Sequence, residues 1–138
     1  MSLLNRRDFV HHAGLGASSL ALTGLVGLPA RAKDAAPPSE RVNLAVIGVR
    51  GRGGQLAKDF ARRSDSHVAY LCDVDTRLLD SRATAVEQEQ GKRPETVDDF
   101  RRALDDPQID AVVIATPDHW HALATIWACQ AGKDVYVE

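Results

Sequence analysis

Gly48, Arg50, Gly51, Arg52, Gly53 and Asp73 have the residue types and spacing to hold a dinucleotide. Gly48 and Gly53 fill the first and last positions of a G-x-G-x-x-G turn. Arg50 stands at the second glycine and Gly51 is displaced by one residue. Such a turn between a strand and a helix leaves backbone N–H groups unpaired at a helix N-terminus. The helix dipole favours negative charge there, and a pyrophosphate satisfies both. Taken alone, the motif is weak, and an ordinary glycine-rich strand-to-helix turn is the less favoured alternative. Asp73 is the second observation. It lies 20 residues after Gly53, where a carboxylate can accept hydrogen bonds from both ribose hydroxyls of an adenosine. It would repel a 2′-phosphate, so NAD is expected in preference to NADP. With Asp73 in that role, Arg50 and Arg52 are left to the pyrophosphate or to solvent.

In an open parallel sheet the ligand sits beyond the carboxyl ends of the strands, where the strand order reverses. Gly48, Asp73, Thr116-Pro117 and Glu138 all read as such ends, so they converge on one crevice. Trp120 and His121 follow on the next helical turn. Trp120 reads as a core residue of that helix that also borders the crevice. His121 is either a cap-region residue or faces the nicotinamide. His119 and His121, two apart on a helix, point to different faces. With no C-x-x-C and no H-x-x-x-H, no metal site is expected.

The elements that must position these residues alternate. An apolar run ending at Ile47 is a strand, and Gln55 to Arg63 is a helix. His67 to Cys72 is a second strand. Asp75 or Thr76 caps a helix with Leu78, Leu79, Ala83 and Val86 on one face, ended by Gly91. Glu95 to Val97 is a short strand. Thr96 would cap the helix carrying Phe100 and Leu104, with Asp99 in a capping box. Ile109 to Ala115 is apolar almost throughout, as in a strand covered on both faces. Thr116 caps the next helix and Pro117 occupies its first turn. Its apolar face would carry Trp120, Leu123, Ala124, Trp127, Ala128 and Ala131. Asp134 opens a fifth strand, cut at Glu138. This is an α/β pattern, and it predicts a Rossmann-type doubly wound parallel sheet in the order 3-2-1-4-5.

Residues 1–32 read as a Tat-type signal peptide. Asn5-Arg6-Arg7-Asp8-Phe9 carries a twin arginine, Ala13 to Leu28 is weakly apolar, and Ala30-Arg31-Ala32 offers a cleavage site. The apolar run is too short and too rich in Gly and Ser for a membrane anchor. The Tat machinery is therefore an expected partner and the periplasm, or another exported location, the expected destination. Residues 33–40, with Pro37-Pro38, are a linker, and the domain occupies 41–138. Removing the leader takes the net charge from −2 to −4. No basic patch suggests nucleic acid. Cys72 and Cys129 read as buried apolar residues, not as a disulfide.

Ala115-Thr116-Pro117-Asp118-His119-Trp120-His121 and Ala131-Gly132-Lys133-Asp134-Val135-Tyr136-Val137-Glu138 resemble the Gfo/Idh/MocA family, and the resemblance extends over Arg41 to Glu138. It implies an N-terminal NAD-binding Rossmann domain and a C-terminal substrate domain for a sugar or cyclitol, absent from this chain. The family's glutamate-lysine-proline motif would begin at Glu138. Catalytic residues are thus expected just after Glu138 and in the absent domain, none within this chain, which alone would be inactive. Any homo-oligomer would form through that domain. The implied reaction is hydride transfer from a sugar hydroxyl to the nicotinamide while a base takes the proton. A redox-neutral glycosidase or epimerase would use the same hydride step and return it. A binding protein keeping the dinucleotide fold without catalysis is the other rival. The leader resembles that of secreted family members.

Overall fold

The computed structural model describes residues 41–138. The leader and linker expected at 1–40 lie outside the described residues. Five strands, β1 (Val42–Ile47), β2 (Ser66–Cys72), β3 (Glu95–Val97), β4 (Ala111–Ile114) and β5 (Asp134–Val137), form one sheet in the order β3-β2-β1-β4-β5. Every pairing is parallel. The helices between them are α1 (Gly51–Ala61), α2 (Thr76–Gln90), α3 (Arg101–Asp105) and α4 (His121–Gln130), the last preceded by a 3₁₀ turn, Asp118–Trp120. This is the predicted α/β class and the predicted strand order.

Side chains alternate across a strand, and β1 uses both faces. Val46 joins Val68, Leu71 and Val113 under Leu56, Ala57 and Ala61 of α1 and Leu79, Ala83 and Val86 of α2. Ala45 and Ile47 point the other way, with Val112 and Ile114, toward Ala103 and Leu104 of α3 and Ala124 and Ala128 of α4. A sheet covered on both faces explains the nearly unbroken apolar character of β1 and β4. The alternation breaks once. Leu44 pairs with Val68 but Ala45 with Tyr70, so Ala69 is an extra residue on β2. That bulge resets the parity, and Val68 and Leu71 share one core face although they are three apart.

Several boundaries differ from the sequence reading. Helix α1 begins at Gly51, not Gln55, because glycines Gly51, Gly53 and Gly54 are taken into its first turn. Thr96 is in β3 and caps nothing. The carboxylate of Asp99 instead accepts from the Arg101 N–H at 3.0 Å, so an Asx turn starts α3. Asp75 is the cap of α2, its side chain accepting from the Arg77 N–H. Pro117, not Thr116, is the cap position of the 3₁₀ turn.

The face of α4 is also narrower than expected. Ala124 and Ala128 are buried, but Trp120 is 43% exposed and Leu123 is exposed. Trp120 lines a cleft together with Ala124 and Trp127, so its exposed ring faces that opening and not the closed core. Cys129 is exposed rather than buried. Cys72 is buried, and desolvation beside Asp73 pushes its thiol up to about 12. An alkylating reagent at pH 8 should therefore modify Cys129 well before Cys72, because only a thiolate reacts. Peptide mapping of the folded protein after brief labelling checks this, and equal labelling of the two would contradict the burial of Cys72.

Candidate functional site

A cleft of about 770 Å³ opens at the carboxyl ends of the strands. Its walls include Gly48, Arg50, Gly51 and Arg52 from the β1–α1 turn and Asp73 and Val74 from the β2–α2 turn. Thr116, Pro117 and Trp120 close it beyond β4. It lies where the chain departs from β1 in opposite directions, to β2 on one side and β4 on the other.

The glycine turn is shaped by contact. Gly48 has φ +85°, and a Cβ there would stand 2.7 Å from the carbonyl oxygen of Ala115. A Cβ on Gly53 would stand 1.8 Å from the carbonyl oxygen of Gly48. Helix α1 thus sits directly on the end of β1, which is the role of the last glycine in the fingerprint. A Cβ on Gly51 would meet nothing within 4 Å, and Gly51 lines the cleft. Its φ of +27° is a backbone conformation that side chains rarely adopt. Gly54, to which the sequence reading gave no role, sits against Val49 and Arg82 in the same way.

Asp73 holds the two turns together. One carboxylate oxygen accepts from the Val49 N–H at 2.9 Å and the other from the Asp75 N–H at 2.9 Å. Each oxygen keeps a lone pair for a hydroxyl ligand. The arginines are exposed, and each is paired with a carboxylate. Arg50 pairs with Asp75. Arg52 donates from Nε to Glu138 at 2.8 Å, and the Tyr136 hydroxyl donates to the same carboxylate at 2.9 Å. Arg101 pairs with Asp99. Arg77, with Arg50 behind it, holds the Asp75 carboxyl down at about 2, and Arg52 and Tyr136 lower that of Glu138. Each cleft arginine already faces a carboxylate, and the start of α1, whose first N–H groups have no partner within the helix, borders the same cleft.

Thr116 lines the cleft, and its Oγ1 is buried with no hydrogen-bond partner. His121 lies beside the end of β4. Its Nε2 lies 2.7 Å from the Thr116 carbonyl oxygen, so the ring braces the turn, and it is not among the cleft's lining residues. Glu138 is likewise outside the lining; its carboxylate ties the end of β5 to α1. The sequence reading missed Val74, Asp98, Phe100, Arg101 and Trp127, which line the cleft. Phe100 and Trp127 stack at 5.7 Å, a pairing of α4 with the residue that precedes α3, which no local spacing announces.

These residues fit a dinucleotide. The helix N-terminus is open, the closest approaches are made by glycines, and a buried hydroxyl has no protein partner.

Comparison with known proteins agrees with this fit. The profile of an oxidoreductase family with an NAD-binding Rossmann fold, Gfo/Idh/MocA, matches residues 42–138. A glycosyl hydrolase family 109 protein of Stenotrophomonas maltophilia is 37% identical over 146 residues, covering 100% of this chain and 30% of the relative. An alpha-N-acetylgalactosaminidase of Shewanella oneidensis is 29% identical over 156 residues, covering 100% of this chain and 34% of that protein. The chain thus spans about a third of the length of these curated relatives. The crystal structure of GenD2 from gentamicin A biosynthesis, in complex with NAD, superposes with a TM-score of 0.61 at 26% identity, covering 71% of this chain and 26% of that one. The chain belongs to the Gfo/Idh/MocA oxidoreductase family, of which it carries the nicotinamide-dinucleotide-binding Rossmann domain.

Proposed function

We propose that this domain is the cofactor-binding part of an exported, NAD-dependent enzyme acting on a sugar or cyclitol, and that the whole protein cleaves a glycosidic bond in a redox-neutral cycle. The observation that carries the reading is the 37% identity, over 100% of the chain, to a glycosyl hydrolase family 109 protein. The domain's own task is to hold and orient the cofactor. The first N–H groups of α1 receive the pyrophosphate, with Gly51 bare at the cleft wall and Gly48 and Gly53 letting the turn close against the ends of β4 and β1. Asp73 accepts from the adenosine ribose, which favours NAD over NADP. Thr116 offers its unpaired hydroxyl where β4 ends, and Pro117 and Trp120 form the wall beside it. A bound nicotinamide dinucleotide supplies a site that takes up a hydride from a sugar carbon and can return it. We assign the groups that move protons to the part of the relatives' length that this chain does not span.

A net dehydrogenase is the second reading, and membership of an oxidoreductase family favours it. Export rests on the twin arginine of Asn5-Arg6-Arg7-Asp8-Phe9 and the cleavage site at Ala30-Arg31-Ala32. Tat export carries folded proteins, and free NAD is scarce outside the cytoplasm, so the cofactor must bind before export and stay. The test is to purify the full-length protein from the periplasm without added cofactor and supply aryl glycosides, including an α-N-acetylgalactosaminide. Release of the aryl group without net NADH supports the glycosidase. Stoichiometric NADH with the glycosidic bond intact returns the protein to the dehydrogenases. Bound NAD with neither reaction leaves a binding protein.

A further inference from the structure

Arg50, where the glycine fingerprint departs from its pattern, has no part in the roles above. Its backbone is extended, with φ −73° and ψ 169°, so conformation does not require glycine here. Only room for a ligand would. The side chain is drawn away to Asp75: the Arg50 guanidinium, 67% exposed, pairs with a carboxylate that is 15% exposed. Asp75 is itself fixed. Its N–H donates to Asp73 at 2.9 Å, and its carboxylate accepts from Arg77 Nε at 2.8 Å. Asp73 in turn accepts from the Val49 N–H. Two ties therefore join the β1–α1 turn to the β2–α2 turn: a part-buried one through Asp73 and Val49, and a solvent-facing one through Arg50 and Asp75. Both turns are walls of the cleft.

We propose that the Arg50–Asp75 pair is a clasp that fixes the separation of these two turns at the adenosine end of the cleft and slows release of the bound dinucleotide. An exposed ion pair adds little to fold stability, so folding does not account for an arginine at this position. Walls held at the bound spacing lower the ordering cost of binding, and differences among variants of one site appear chiefly in the dissociation rate. The proposal rests on the dinucleotide reading of the cleft and assigns retention to a named pair within it.

The test is NAD dissociation from the full-length protein, measured by displacement with excess competing dinucleotide. Arg50→Gly restores the fingerprint glycine. Asp75→Asn keeps a good helix cap and removes the charge. Each should release NAD about threefold to fivefold faster, the range an exposed ion pair can reach. The double variant should release it no faster than either single, because both remove the same contact. Arg77→Ala, which leaves the clasp in place, should stay within about twofold of the parent. Unchanged rates in Arg50→Gly and Asp75→Asn, or additive effects in the double variant, would overturn the clasp while leaving the functional reading intact. A parent protein that binds neither NAD nor NADP would sink the functional reading and the clasp with it.

Discussion

Gly53→Ala should destabilise the folded domain by about 3 kcal/mol or more and abolish dinucleotide binding. The added Cβ would stand 1.8 Å from the carbonyl oxygen of Gly48, and neither partner is a flexible side-chain end. Helix α1 must lift off β1, and overpacking of this kind costs roughly 1–3 kcal/mol even where side chains can yield. On the proposed reading the pyrophosphate site goes with it, since the N–H groups assigned to it belong to the displaced turn. Gly91 provides the comparison. It has φ +77° with nothing within 4 Å of a Cβ, so Gly91→Ala carries only the left-handed backbone cost of about 1 kcal/mol and should leave binding unaltered. Denaturant unfolding of the two variants separates contact from conformation. Equal losses would mean that the close approach of α1 to β1 is not what requires Gly53.

Asp73→Ala comes second in expected effect, and it should act on the fold as well as on the cofactor. The carboxylate accepts one N–H from each cleft turn, from Val49 and from Asp75, both at 2.9 Å. Truncation leaves two part-buried donors without that acceptor, for about 2–3 kcal/mol of stability. On the proposed reading it also removes the ribose acceptor, so NAD binding should weaken more than NADP binding, by on the order of 1–3 kcal/mol. Titration of the full-length parent and variant with both dinucleotides reads the difference directly. A parent that binds NADP more tightly than NAD would defeat the assignment of Asp73 as the selecting residue. A variant that keeps its stability would show that water replaces the carboxylate between the turns.

Both substitutions were legible as important from the sequence, but for incomplete reasons. Gly53 was marked by its place in a fingerprint. The contact that forbids a side chain there involves the carbonyl of Gly48 in the folded turn. Asp73 was marked by its distance from Gly53 and assigned to a ligand, whereas its backbone partners appear only once β1 and β2 lie side by side. The arginines show the limit most clearly. Arg52 and Glu138 are 86 residues apart, and no local pattern links them. The parallel sheet brings the start of α1 and the end of β5 to the same edge of the cleft.

What the sequence by itself determined about this protein was the alternation of elements, the α/β class, the order of the strands and the crevice at their carboxyl ends. Those follow from rules of short range: apolar runs with β-branched residues make strands, periodic apolar stripes make helices, and short right-handed connections leave few topologies. Tertiary structure alone decided the bulge at Ala69 that resets the parity of β2, the exposure of Trp120 and Cys129, and the contact of the His121 ring with the Thr116 carbonyl. It also decided which carboxylate each cleft arginine meets. Each of those outcomes depends on the relative placement of two elements far apart in the chain, and a side chain's spacing along its own element carries no information about what another element puts in front of it.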